Sequence, residues 1–402
     1  MAKEAILQAS AAGMGSRSLL RRLNSLGVLR AVRSGPQTMR ELATTSGLSR
    51  TAIDGVVSDL LTLGWLQPDE NAPTGQLGRP ATRYRVDPGL GMFLSVDVGA
   101  NHIYAVATDL SDATRGHLTE PVDEDLAAED RIAAALGVCD RLLASIGADR
   151  SDVWIVTIAS PGAISNTGEV LYFGGTGMPG WAGLNLRDRF APEFGGAVLV
   201  EGDVPLGAQA EIAFGAAKGR SDVIYVLCGR RTSGALIVGG RVHRGVHGAA
   251  GIVGEMPELK WRELNEEYGT DVLPHPRPDR EGIFQLAREG DAAARAAVDE
   301  FADDLATGAA ALTLAVDPEL LIIGGGSSAG ADVFGERFEQ TLGRICPVPP
   351  PIAISSLGSE AVAMGGISLA AAHLDTVLEQ GIGDLEAFPS PREMRERLTL
   401  GE

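Results

Sequence analysis

Three carboxylates and a pair of arginines stand where short apolar runs break into glycine-containing turns, positions from which side chains reach ligands. Asp97 closes FLSVD before Val98-Gly99, Asp203 follows VLVEG, and Glu255 follows AGIVG. Arg230 and Arg231 follow VIYVLCG, and Gly162 ends the run VWIVTIASPG. Carboxylates accept hydrogen bonds from hydroxyls and amides, and guanidinium groups hold anionic oxygen through paired N–H donors. Asp203, Glu255, Arg230 and Arg231 therefore fit a small molecule bearing both donors and an anionic group. The alternative is that Glu255 and the arginines neutralise one another in a filled cleft.

A second set lies in the first ninety residues. Arg50, Thr51 and Asp54 open a periodic apolar segment, Arg79 stands between Gly78 and Pro80, and Arg83 and Arg85 alternate in ATRYRV. These first ninety residues carry eleven Lys/Arg against seven Asp/Glu, a net of +4, leaving −23 for the rest of a chain whose total is −19. A mildly basic head on an acidic body confines attraction for phosphate to the head. For the body, the plainer reading is an acidic surface that aids solubility.

The elements that must position the head residues are legible. Leu19, Leu20, Leu23, Leu26, Leu29 and Val32 recur at helical spacing up to Ser34-Gly35-Pro36. Thr38-x-x-Glu41 is a capping box for a helix over Met39 to Thr45. Gly47 ends that helix, Ser49 caps the next, and Ile53, Val56, Val57, Leu60 and Leu61 form the stripe of a third helix stopped by Gly64. Two helices joined by a short glycine turn form a helix-turn-helix, and the strand-like segments on either side of PDENAPTGQLGRP supply a wing with Arg79 at or near its tip. In that geometry the third helix enters the major groove of duplex DNA. Arg50 is then the candidate for a guanine contact, Thr51 and Asp54 lie on the reading face, and Arg79 suits a minor groove. Arg83 and Arg85 are candidates for phosphate contacts. A winged helix can also serve as a protein-interaction module.

In the body, buried-strand patterns alternate with helical ones, which indicates an α/β architecture with mixed sheets. Two sheets facing one cleft would gather Asp97, Asp203 and Gly324-Gly325-Gly326 around a shared site. Cys139, Cys228 and Cys346 are far apart and form no C-x-x-C pair, so they read as buried thiols. No apolar run reaches the length needed to span a bilayer, and the N-terminus has no signal-peptide pattern, so a cytoplasmic location is expected.

From about Arg17 to about Leu378 the chain resembles the ROK family of repressors and sugar kinases. The resemblance rests on LNSLGVL, ELATTSGLSR and LGRP in order, the Asp97 strand, Pro161-Gly162, Gly180-Trp181, Gly245-x-x-Gly248-x-Ala250-Gly251, and Asp317-Pro318-Glu319 before the triple glycine. It implies an N-terminal winged helix-turn-helix (1–90), two lobes of an actin/hexokinase-like domain (91–205 and 206–378, the final helix returning to the first lobe) and a tail (379–402). It implies further a DNA-binding transcriptional regulator of the repressor branch, a homodimer or higher homo-oligomer on an inverted-repeat operator, with a possible sugar or sugar phosphate effector.

Departures from the family pattern narrow these implications. The first phosphate loop reads Asp97-Val98-Gly99-Ala100-Asn101 in place of Asp-x-Gly-Gly-Thr, and Gly229-Arg230-Arg231-Thr232-Ser233-Gly234 replaces Gly-Thr-Gly-x-Gly. Glu201-Gly202-Asp203 lacks the asparagine of Glu-Asn-Asp, although Asp203 matches the family's catalytic base. Ala250-Gly251-Ile252-Val253-Gly254-Glu255 lacks the glutamate and histidine of Ala-Gly-Glu-x-Gly-His, and Pro257 to Thr270 holds no cysteine. The resemblance with these departures implies no zinc, no cofactor and no kinase activity. The alternatives are an ATP-dependent sugar kinase and a regulator with no small-molecule effector.

Overall fold

The computed structural model describes residues 16–69, 81–174, 177–229, 231–261 and 279–400. The head comprises helix α1 (Ser16–Arg33), strand β1 (Gln37–Thr38), helices α2 (Met39–Ser46) and α3 (Arg50–Leu63), and strands β2 (Leu66–Pro68) and β3 (Arg83–Val86). Local chemistry sets its boundaries. Thr38 Oγ1 accepts from the Glu41 amide at 3.2 Å while the Thr38 amide donates to Glu41 Oε2 at 2.7 Å, satisfying two helix-end amides at once. Gly47 (φ +67°) and Gly64 (φ +87°) take the left-handed conformation that ends α2 and α3. β3 pairs antiparallel with both β1 and β2. The head is thus a winged helix-turn-helix.

The body repeats one sheet topology twice. Its first sheet holds β4 (Met92–Val98), β5 (His102–Asp109), β6 (Thr114–Pro121), β7 (Val153–Ser160) and β10 (Ala197–Gly202), with α4 (Ala128–Ser145) between β6 and β7. Between β7 and β10 lie the small pair β8 (Ala163–Ile164) and β9 (Val170–Tyr172) and helix α5 (Leu186–Phe190). After α6 (Asp203–Phe214), the second sheet takes β11 (Val223–Cys228), β12 (Thr232–Val238), β13 (Arg241–His243), β14 (Leu320–Gly324) and β15 (Ile352–Ile354). Helices α7 (Arg280–Glu289) and α8 (Ala292–Val316) precede β14, and α9 (Ala331–Ile345) follows it. The spatial orders β6-β5-β4-β7-β10 and β13-β12-β11-β14-β15 are each an antiparallel meander extended by two parallel strands. β4 and β7 are buried along their whole length and are mostly apolar, with Ser95, Asp97, Thr157 and Ser160 as buried polar exceptions.

Helix α10 (Ala361–Asp384) returns to the first lobe and packs on α6, β4 and β7. Close approach depends on glycine, since a Cβ at Gly365 would collide with the Leu206 carbonyl. The segment Gly358–Gly383 is long and apolar enough by length and composition to cross a membrane, which corrects the expectation that no apolar run reaches that length. Ala363, Ile367, Ala370, Leu374, Val377 and Leu378 on this helix are buried in the core, so its apolar character is that of a central helix. All three cysteines are buried and unpaired.

The head and body share one hydrophobic core. Trp65, just beyond the Gly64 cap of α3, meets Trp154 of β7 edge-on at 6.1 Å and Phe388 at 6.4 Å, and donates its indole N–H to the Pro389 carbonyl at 2.7 Å. Phe388 belongs to the tail, whose final helix α11 (Pro391–Leu400) buries Met394 and Leu398 in that core. The tail is the wedge that joins head to body. Charged contacts flank it. Arg33, 8% exposed, donates to Asp375 of α10 at 3.0 Å and to the Leu110 carbonyl at 2.8 Å, and Arg30 donates to Asp375 at 3.1 Å and Glu379 at 2.8 Å.

Candidate nucleic-acid interface and interlobe cleft

Helix α3 begins on the Ser49 cap, whose Oγ accepts from the Ala52 amide at 3.3 Å. That bond fixes the helical turn carrying Arg50 and Thr51, both exposed, with exposed Asp54 one turn on. Among the described residues the Arg50 side chain has no hydrogen bond or ion pair, so its guanidinium is free to meet phosphate or a base edge. The other carboxylate of this helix, Asp59, is neutralised by Arg21 of α1 at 2.7 Å. Arg83 is placed differently from the phosphate contact expected of it. It donates to the Pro36 carbonyl at 2.7 Å and to Glu41 at 3.0 Å, bracing β3 against the start of α2. Arg85 lies 4.0 Å from Asp69. Arg79 falls outside the described residues.

The strand ends of both sheets open on a cleft of about 740 Å³ lined by Asp97, His102, Asp203, Arg231, Gly325 and Gly326 among others. This is the size of an ordinary small-molecule site. Asp97 ends β4, and His102 Nε2 lies 3.5 Å from its carboxylate. That contact holds the imidazole above its usual pKa against the opposing effect of burial. Asp203, first residue of α6, accepts from the Val204 amide at 2.8 Å. Burial, reinforced by the negative charge of Asp97, pushes its carboxyl up to about 7. Arg231 reaches over the Phe173 ring, with its guanidinium carbon 4.2 Å from the centroid.

A smaller adjoining space of about 90 Å³ contains Gly162, Asp203, Arg231 and Glu255. Gly162 (φ +106°) is required there, because a Cβ would strike the Tyr172 carbonyl. The structure thus brings together Asp97, Asp203, Gly162, Arg231, Glu255, Gly325 and Gly326. It does not bring in Gly324, where a Cβ would strike the Tyr225 ring. Arg230 falls outside the described residues. Sequence reasoning also missed Arg131. This fully buried side chain donates to the carbonyls of Gly99, Ala100, Asp123 and Glu124, fixing the loop after β4 from beneath. Among the described residues no group of three or more His, Cys, Asp or Glu is arranged to hold a metal.

A winged helix fused to a two-lobed actin/hexokinase-like body defines the class. The ROK family profile matches residues 93–261 and 272–373, and the chain belongs to the ROK family. Its similarity to the xylose repressor of Caldicellulosiruptor bescii, at 21% identity, covers 94% of this chain and 99% of that protein. A glucokinase of Thermotoga maritima is 27% identical over 50% of this chain and 72% of its own length. A bifunctional NanE/NanK enzyme of Brucella melitensis is 31% identical over 47% of this chain, which spans 38% of that enzyme. Among solved structures, a ROK family transcriptional regulator homologous to the Escherichia coli MLC protein matches 91% of this chain and all of its own, with TM-score 0.67 at 19% identity. A ROK family glucokinase from Streptomyces griseus matches 69% of this chain and 99% of its own, with TM-score 0.56 at 23% identity. At these identities the structural matches establish the fold.

Proposed function

We propose that the chain is a sequence-specific DNA-binding transcriptional regulator acting as a repressor. One observation carries this reading: the described winged helix presents Arg50 and Thr51, exposed and unpaired among the described residues, on the first turn of its reading helix. Similarity along nearly the whole length to a xylose repressor supports it. A homodimer would set two reading helices against an inverted repeat, in the cytoplasm where such an operator lies. Residues 1–90 are the DNA-binding unit, 91–205 and 206–378 the two lobes that sense and associate, and 379–402 the segment that ties them together.

In this reading the body senses and does not phosphorylate. Arg231 occupies the loop that would cradle nucleotide phosphate, and Gly202 stands where a sugar-binding amide is expected. Asp203, Glu255, Gly162, Arg231 and Arg230 remain as the residues for a sugar or sugar phosphate effector. Binding of labelled duplexes by the full chain, followed across salt concentrations, tests the assignment. Sequence-selective affinity with a steep salt dependence is expected, and equal, weak affinity for all duplexes contradicts it.

A sugar kinase is the second reading. What favours it is Asp203, whose carboxyl near 7 faces the cleft beside Asp97 as a general base would. A coupled ATP-turnover assay over hexoses and N-acetylhexosamines separates the two. Turnover abolished by Asp203→Asn establishes the kinase, and turnover no greater than that of the variant removes it.

A further inference from the structure

A second cavity, of about 300 Å³, lies between β10, the turn after β8, α5 and the middle of α10. Its polar lining includes Arg187 of α5, Glu201 of β10, Arg244 after β13 and His373 of α10. Two of these are paired with each other, although the Arg244 Nε, like that of Arg187, makes no hydrogen bond of its own. Arg244 pairs with Glu201 at 2.6 Å and donates to Asn166 Oδ1 at 2.6 Å and to the Ile164 carbonyl at 3.1 Å.

Arg187 and His373 differ from that pair. Among the described residues neither side chain makes a hydrogen bond or ion pair, and the Arg187 Nε is shielded from solvent with no acceptor. Polar groups buried in this way ordinarily have a partner. The two are close enough that, after burial itself, the Arg187 charge is what holds the His373 imidazole below its usual pKa. The charged groups facing this imidazole are therefore Arg187, together with the mutually neutralised Arg244 and Glu201 across the cavity. With that pair cancelled, the described residues lining the pocket carry one free positive charge, and a second once His373 takes up a proton. Such a pocket matches a dianion.

We propose that this cavity binds the phosphate group of a small phosphomonoester. The Arg187 fork supplies paired N–H donors and His373 supplies one more, and the histidine gains a proton as the anion enters. Occupancy reaches the head through α10, because Asp375, two residues beyond His373, holds both Arg30 and Arg33 of α1. This last step rests on the DNA-binding reading, whereas the binding site does not.

Calorimetry on the full chain with inorganic phosphate and with glycerol 3-phosphate tests the site, in two buffers of different ionisation enthalpy and with acetate as the monoanionic control. Saturable binding that Arg187→Gln weakens by about tenfold or more is expected. His373→Asn should weaken binding and remove the part of the buffer-dependent heat that reports proton uptake by the protein, the ligand's own ionisation contributing equally in both proteins. Arg189→Gln should leave affinity unchanged, since Arg189 pairs with Glu129 and does not line the cavity. Absence of saturable binding to the folded parent, equal losses from Arg187→Gln and Arg189→Gln, or acetate binding as tightly as phosphate would overturn the proposal. A change in duplex affinity on adding glycerol 3-phosphate, lost in Arg187→Gln, supports the route through α10. Phosphate binding with unaltered duplex affinity removes that route and leaves the site. Phosphate binding by a parent that recognises no duplex contradicts the DNA-binding assignment alone.

Discussion

The head and the interlobe cleft both present arginine, in opposite settings. On α3, Arg50 projects from a capped helix start without a partner among the described residues, on a domain whose core is shared with the body. In the cleft, Arg231 lies on Phe173 close to Asp203, and Asp203 is itself held partly neutral by burial and by Asp97. A free cation on a fixed scaffold suits recognition of an external polyanion, whereas charges compensated inside a cleft suit a small ligand that must displace existing contacts.

The largest effect is expected where the head joins the body. Trp65→Ala removes the ring that touches Trp154 and Phe388 and the donor to Pro389. A loss of roughly 3–5 kcal/mol in unfolding free energy is expected by denaturant titration. A loss below about 1 kcal/mol would mean that the head is a tethered module.

The cleft's buried charge comes next. The Asp203 carboxyl is raised to about 7 from an ordinary 3.8, so between these values the folded state holds a proton that the unfolded chain releases. Stability from this group is therefore present at pH 4 and falls as pH rises to about 7. Asp203→Asn should match the parent at pH 4 and exceed it at pH 8, by on the order of 3 kcal/mol, in paired thermal melts. Parallel melting curves across that range would mean the cleft carboxylates are solvated.

Arg50→Ala should weaken specific duplex binding by about 1–3 kcal/mol and relax preference at one base position, read by fluorescence anisotropy. An unchanged affinity in a folded variant would remove Arg50 from the interface. The smallest effect belongs to the exposed Arg21–Asp59 pair, for which Arg21→Ala should cost roughly 0–1 kcal/mol of stability.

Local features were legible in the sequence, and distant partners were not. The Thr38–Glu41 box, the Ser49 cap and the Gly47 and Gly64 stops depend on neighbours within a few residues, and α2 and α3 fall where those signals put them. Arg83 looked like a phosphate contact because its strand alternates, but its acceptor Glu41 reaches it only through the fold. Trp65 and the tail were opaque for the same reason, since the indole's acceptor lies 324 residues away. The apolar length of α10 resembles that of a membrane span when counted alone, and only its packing against α6, β4 and β7 assigns it to the core. In the cleft, the turn-forming glycines announced where chains would converge. The stacking of Arg231 on Phe173, and the pocket holding Arg187 and His373, required the two lobes and α10 to be in place.

Selection of duplexes from a random-sequence library by the full chain tests the central claim most directly, with Arg50→Ala selected in parallel. Enrichment of an inverted repeat by the parent, degraded at one position of each half-site by Arg50→Ala, is the predicted result. No enrichment by the parent, or identical enrichment by both proteins, would contradict the account.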